Sequence, residues 1–132
     1  IEAEPRGVIS VLIGAGTFIV DPKFTEEDFT ALLEYVTAHE IEYPQLTVLT
    51  PLPGSDLFHA ERENLTTFNW NEYDTFHAVL PTRLLTSAFY RRLKNLYLRT
   101  YLSPRRVLTG VSKGYYPVRK LGGFLRMLGS LG

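Results

Sequence analysis

The sequence predicts an α/β fold, and three observations carry that prediction. Two β-rich stretches, Thr17–Val20 and Leu46–Thr50, flank one strongly signalled helix. That helix opens on a capping pattern at Thr25 and Asp28. The second stretch runs into the turn Pro51-Leu-Pro-Gly-Ser55, the strand-to-loop edge at which α/β proteins place ligands. Strand, helix and strand in that order make a β-α-β unit whose strands should be parallel.

Ile1–Gly7 reads as a connector broken by Pro5 and Gly7. A chain that opens on Ile is expected to be processed or to be a piece of something longer. Val8–Val20 is a 13-residue apolar and Gly run, read as one interrupted strand or two short pieces around Gly14-Ala15-Gly16. It is too short to span a bilayer and has only Arg6 as a basic flank, so it is neither a membrane helix nor a signal peptide. Gly14-x-Gly16 lacks the third glycine of a dinucleotide loop, because Ile19 stands there.

Thr25 is the N-cap of the first helix, with Asp28 three residues on as its capping-box partner. Phe24 and Phe29 stand where a hydrophobic staple needs them, and Glu26, Glu27 and Asp28 complement the positive end of the helix dipole. Phe29, Leu32, Leu33 and Val36 then share one face, which predicts a helix from Glu26 to about His39. Leu46, Val48 and Thr50 alternate as a strand until Pro51, which has no N–H to continue a ladder. Pro53-Gly54 turns the chain, and Ser55 or Asp56 caps a short helix over Leu57–Glu63.

Thr66–Leu80 is aromatic-rich without a sustained period and reads as a packed irregular segment closed by Pro81-Thr82. A long helix follows over Thr86–Leu102, with Phe89, Leu93, Leu96 and Tyr97 as its apolar stripe and Ser103-Pro104 as its stop. Beyond it, Arg105–Gly132 holds six bases and repeated glycines. Leu121–Leu131 has the pattern of a short basic amphipathic helix, while its glycines argue for partial disorder.

A chain of 132 residues buries roughly two-thirds of its unfolded surface in one core. The absence of cysteine excludes disulfides and thiolate metal sites within it. The net charge of zero hides a partition. All 14 acids lie between Glu2 and Asp74, where the only bases are Arg6, Lys23 and Arg62; the other 11 bases fill residues 81–132 without one acid. Such halves attract one another or solvate separate faces. The sharper reading is a basic tail for a membrane surface, nucleic acid or a partner domain.

No complete catalytic constellation is visible: there is no Walker loop, no G-x-S-x-G elbow and no H-E-x-x-H. His39-Glu40-x-Glu42 falls at a helix end at spacings that do not share a face, so no metal site is assigned. His59 reads as a surface residue. His77 lies in the aromatic segment, either packed and hydrogen-bonded to Asp74 or in contact with substrate near the strand ends. Asp21, just past a strand, reads as a turn residue before Pro22 or as a substrate-side group.

Several stretches together resemble one family. Gly16-Thr-Phe-Ile-Val-Asp-Pro-Lys-Phe-Thr-Glu-Glu-Asp-Phe29, Leu49-Thr-Pro-Leu-Pro-Gly-Ser55, Tyr73-Asp-Thr-Phe-His-Ala-Val-Leu-Pro-Thr82 and Phe89-Tyr-Arg-Arg-Leu93 resemble the C-terminal part of radical S-adenosylmethionine enzymes. The subgroup is the one with an N-terminal cobalamin-binding domain, hopanoid methylase-like and anaerobic cyclase-like, and the resemblance spans about residues 6–102. It implies the last parallel strands of a partial (β/α)6 TIM-like barrel with a C-terminal helical extension. In the family that barrel holds S-adenosylmethionine and a [4Fe-4S] cluster, ligated by a Cys-x3-Cys-x2-Cys motif, and reductive cleavage yields a 5′-deoxyadenosyl radical.

Without cysteine, the chain by itself would bind no cofactor and catalyse nothing. Gly16-x-Phe18-x-Val20 occupies the place of the family's G-x-I-x-G strand, with Val20 at its second glycine, and Leu49-Thr50-Pro51 that of the last strand's end. The resemblance thus implies Gly16, Phe18, Val20, Leu49, Thr50 and Pro51 on the adenine side and Asp21, Pro53, Gly54 and His77 on the substrate side.

The expected organisation is barrel units over residues 1–80, a packed helix over 81–103 and the basic tail over 104–132. The implied setting is a cytoplasmic enzyme without nucleic acid, acting on a small or lipid-like molecule. Its partner is the upstream part of the same polypeptide, and cobalamin is a further candidate cofactor of the whole enzyme. The tail would supply any peripheral membrane contact. The competing expectation is a stand-alone, non-catalytic binding or scaffold module.

Overall fold

β1 (Val8–Leu12) and β2 (Ala15–Val20) form an antiparallel hairpin, and β3 (Tyr43–Val48) lies parallel to β2 on its other side. Residues 5–12, 15–39, 41–114, 122, 123, 126, 129 and 130 are described by this computed structural model. β2 and β3 run in strict step from Ala15 opposite Tyr43 to Val20 opposite Val48. The helix α1 (Glu26–Ala38) connects them, so the expected parallel β-α-β unit is present. β3 begins three residues earlier than the alternation indicated and ends at Val48, leaving Thr50 outside the ladder.

Burial alternates cleanly along the pair. Gly16, Phe18, Val20, Pro44, Leu46 and Val48 are buried, while Thr17, Ile19 and Thr47 are half-buried and Gln45 is exposed. The buried face shares one core with α1, which adds Phe29, Leu32 and Val36, and with the long helix α3 (Thr86–Tyr101), which adds Phe89, Leu93, Leu96 and Tyr97, whereas Phe58 of α2 (Asp56–Glu61) is buried outside that cluster. Burying side chains of this size contributes about 1.5–3 kcal/mol each, and this shared core holds the layers together.

The start of α1 is built as its sequence indicates. Asp28 N–H donates to Thr25 Oγ1 at 3.2 Å, and Thr25 N–H donates to the Asp28 carboxylate at 2.8 Å. The Phe24 and Phe29 rings meet edge to face with centroids 5.4 Å apart. Gly7 packs beneath this corner at φ +93°, and a Cβ there would collide with the Ile19 carbonyl oxygen. Only glycine accommodates both the left-handed backbone and that approach.

α2 is capped by Ser55, whose Oγ accepts from Phe58 N–H at 3.1 Å, and continues as a 3-10 turn over Arg62–Asn64. The aromatic segment after it is irregular apart from a 3-10 turn at Trp70–Glu72. α3 matches its expected span and stripe, with Phe89, Leu93, Leu96 and Tyr97 all buried.

The chain then departs from expectation, because Pro104 starts a further helix, α4 (Pro104–Ser112). Proline suits the first helical position, where its missing N–H costs nothing, so the residue that stops α3 also opens α4. Arg106 fastens this part of the tail by donating to the carbonyls of Ile41 and Glu42. Beyond it, Gly122, Gly123, Arg126, Gly129 and Ser130 are helical, and the rest of Leu121–Leu131 lies outside the described residues.

The far edge of β3 is closed by hydrogen bonds from outside the sheet. Leu46 N–H donates to Tyr101 Oη at 3.1 Å, and the Tyr101 hydroxyl donates to the Pro44 carbonyl at 2.9 Å. Val48 N–H donates to the Thr75 carbonyl at 2.7 Å, while its own carbonyl accepts from Thr50 Oγ1 at 3.0 Å. Pro44 has no N–H to offer. An edge so occupied is a poor template for another strand.

The charge partition is bridged in part within the fold. Arg92 pairs with Glu26 at 2.6 Å and Lys113 with Glu42 at 4.0 Å, each joining the basic half to the acidic half. Among the described residues no helix is long and apolar enough to cross a membrane.

Candidate functional site at the carboxyl edge of the parallel strands

Three segments converge where β2 and β3 end. Leu49 N–H donates to the Val20 carbonyl at 2.9 Å, and Val48 N–H holds Thr75 as described. The edge therefore comprises Asp21 after β2, Leu49–Pro51 after β3 and the loop 74–77. Pro51 is buried, Leu49 and Thr50 are half-buried, and Pro53 and Gly54 form an exposed turn with Gly54 at φ +87°. Ser55 steadies that turn through its N–H to the Leu52 carbonyl at 3.0 Å.

The β2 residues read as adenine contacts lie on the core side of the sheet. Phe18 and Val20 are fully buried on the helix-covered face, and Phe18 meets the Tyr35 ring of α1 at 6.3 Å. The space beside Gly16 is filled by the Phe18 ring, which a Cβ on Gly16 would meet at 2.6 Å. The opposite face, with Thr17, Ile19 and Thr47, is the accessible one, and Leu49 and Thr50 lie at its carboxyl end.

Asp21 is engaged within the fold. Its Oδ1 accepts from Lys23 N–H at 2.8 Å, and its Oδ2 pairs with Arg6 at 3.0 Å. Arg6 also reaches Asp28 at 3.2 Å, tying the end of β2 to the start of α1. Nothing in the spacing of the sequence marked Arg6 for this, because its two partners lie 15 and 22 residues away.

The loop 74–77 is the most organised polar group at this edge. Asp74 Oδ1 accepts from the N–H groups of Phe76 at 2.9 Å and His77 at 3.0 Å, and Asp74 Oδ2 lies 2.8 Å from His77 Nδ1. Burial pulls the Asp74 carboxyl upward, but the Phe76 N–H and the His77 ring and N–H outweigh it and hold the group below its usual value. Thr75 adopts φ +65°, uncommon for a β-branched residue. That torsion was not legible from sequence. The Asp-x-x-His spacing was its nearest signal.

Of the other expected sites, His59 is exposed on α2. His39 caps α1 and Glu42 is exposed, while Glu40 lies outside the described residues. Among the described residues no group of three metal-capable side chains assembles.

The chain resembles methyltransferases. It is 30% identical over 118 residues to an uncharacterized methyltransferase of Pyrococcus horikoshii, covering 85% of this chain and 26% of that protein. It is 37% identical over 78 residues to the hopanoid C-3 methylase of Methylococcus capsulatus, covering 57% of this chain and 14% of the relative. A third relative is the bacteriochlorophyllide d C-8(2)-methyltransferase of Chlorobaculum tepidum, 26% identical over 111 residues, 74% of this chain and 25% of that protein. The chain thus spans about a quarter or less of these relatives. No protein-family model and no solved structure matches it.

A groove of about 380 Å³ opens at the other end of the strands, between Ala15–Thr17, Glu42–Gln45 and Tyr101. It lies against the Tyr101 contacts that close β3 and away from the polar groups of the loop 74–77.

Proposed function

We propose that this chain is the C-terminal portion of a radical S-adenosylmethionine methyltransferase, forming part of a partial (β/α)6 barrel wall and of the lid over its substrate. One observation carries the reading: the parallel β2–β3 pair is covered by helices on one face and leaves Thr17, Ile19, Gln45 and Thr47 accessible on the other. A barrel wall has that construction, with helices outside, the other face turned inward and the ligand edge at the carboxyl ends of the strands. The likeness to methyltransferases over 85% of the chain supports it.

The adenine-side wall is assigned to Leu49, Thr50 and Pro51 together with the β2 backbone at Gly16, Phe18 and Val20. Pro53, Gly54 and His77 stand on the substrate side; Asp21 is retained there as a backbone turn held by Arg6. When bound, S-adenosylmethionine with a reduced [4Fe-4S] cluster supplies radical chemistry. This chain's residues bind, orient and shield. Cobalamin belongs to the same proposal, and the substrate class is a small or lipid-like molecule, in keeping with a hopanoid methylase among the relatives. The upstream part of the polypeptide is the obligatory partner.

The test is the full-length reading frame and its product. A Cys-x3-Cys-x2-Cys motif is expected upstream, and the anaerobically reconstituted full-length protein should show cluster absorption and cleave S-adenosylmethionine. The isolated 132-residue chain should do neither. An upstream region without that motif sinks the reading.

The closed edge of β3 and the β1 hairpin on β2 favour a second reading, a module that folds alone and binds without chemistry. A cooperative melt of a monodisperse chain, together with an upstream frame lacking the cysteine motif, would establish it instead.

A further inference from the structure

The loop 74–77 holds more than a turn requires. Asp74 Oδ1 alone accepts both turn N–H groups, from Phe76 and His77. Oδ2 is left for His77 Nδ1, at 2.8 Å. A carboxylate only accepts, so Nδ1 carries the proton and Nε2 presents a lone pair. Nε2 has no polar partner among the described residues, and the His77 side chain is 27% exposed.

The surroundings fix this imidazole from two further sides. The His77 ring packs edge-on to Tyr90 with centroids 6.4 Å apart. Tyr90 Oη accepts the N–H of Ala78, the next residue, at 3.0 Å. On the other side Thr75 holds its left-handed backbone while its carbonyl takes Val48 N–H, which anchors the loop to the last residue of β3. An unfavourable torsion kept at the point that sets a histidine's position is the kind of strain found at functional sites.

We propose that His77 accepts a proton at Nε2 from a hydroxyl or protonated amine of a ligand bound over the carboxyl ends of β2 and β3. In that step the ligand's O–H or N–H bond breaks, its electron pair stays on the heteroatom, and an N–H bond forms at Nε2. The imidazolium so formed is balanced by the Asp74 carboxylate, which makes Asp74 a positioning residue. Among the described residues, the Asp74 carboxylate and the Tyr90 phenol contact the ring, and Tyr97 is within electrostatic reach of Asp74. The step needs no metal, oxidant or reductant, and the role is independent of an upstream cluster.

Two measurements on the 132-residue chain test it. Long-range ¹H–¹⁵N spectra at neutral pH should show His77 as the Nδ1–H tautomer, with no variant needed. Diethyl pyrocarbonate should acylate His77 at Nε2, with exposed His59 as the internal reference. Asp74→Asn keeps the Oδ1 acceptor for the turn but not the charge. It should mix the tautomers and lower the His77 rate about tenfold relative to His59. Asp74→Glu should restore part of the rate. A His77 found as the Nε2–H tautomer, shielded from the reagent, or equally reactive in Asp74→Asn would overturn the proposal, leaving a turn cap only. None of these results depends on the cluster motif that tests the methyltransferase reading.

Discussion

Asp28 does three things with one carboxylate: it accepts from Thr25 N–H, from the Thr25 hydroxyl and from Arg6. Burial draws its pKa upward, but the Thr25 and Arg6 interactions prevail and hold it below the ordinary value. Asp74 is lowered likewise. For a group depressed in the folded state, the unfolded chain binds the proton first. Stability is therefore complete above about pH 4 and is lost as the pH falls through the lower folded values. Denaturation midpoints measured from pH 6 to 2 should fall in that acid range, and more shallowly in Asp28→Asn. Thr25→Ala should cost about 1 kcal/mol in urea denaturation, since it removes the cap from Asp28 N–H. The cap was legible because its partners lie within three residues; Arg6 was not, because the fold brings it to Asp21 and Asp28.

At the scale of elements, two of the three tyrosines of α3 have opposite hydrogen-bonding fortunes. The Tyr101 hydroxyl satisfies Leu46 N–H and the Pro44 carbonyl, whereas the buried Tyr97 hydroxyl has no partner among the described residues. Burial, with Tyr101 and Asp74 nearby, pushes the Tyr97 phenol well above its ordinary value. Tyr101→Phe should destabilise by about 1–3 kcal/mol because it strands two groups at the edge of β3. Tyr97→Phe should cost nothing or stabilise, since it removes only an unpaired polar atom. Equal losses in the two variants, read by chemical denaturation, would contradict this account. Helical spacing placed Tyr97 on the buried stripe of α3. It could not reveal which hydroxyl meets a strand 55 residues away.

Over the whole molecule, ion pairs of Arg92 with Glu26 and Lys113 with Glu42 join the acidic and basic halves of the sequence. The pair between Arg92 and Glu26 is exposed, at 36% and 49% of the side chains, so it contributes at most about 1 kcal/mol. Raising the salt from about 0.05 to 0.5 M should lower the melting temperature modestly, because screening at the shorter Debye length weakens the attraction between halves. No change, or a rise, would mean that the partition serves another surface. Arg106 is the stronger tie, for it satisfies carbonyls of Ile41 and Glu42 at the entry to β3. Arg106→Ala should therefore loosen α4 and shorten amide-exchange protection along it.

The sequence by itself determined the β-α-β unit, the capped start of α1, the stripe of α3 and a cap for α2 at Ser55 or Asp56. Each rests on residues within a turn or two of one another, where local hydrogen bonds and side-chain periodicity suffice. Only the tertiary structure decided that β1 folds back antiparallel onto β2, that Phe18 and Val20 face the helices, and that Pro104 begins α4. It also joined Thr75 to Val48, which brings His77 to the end of β3. Those outcomes depend on which distant groups remain to be buried or paired once the local elements exist, and spacing along the chain does not encode that.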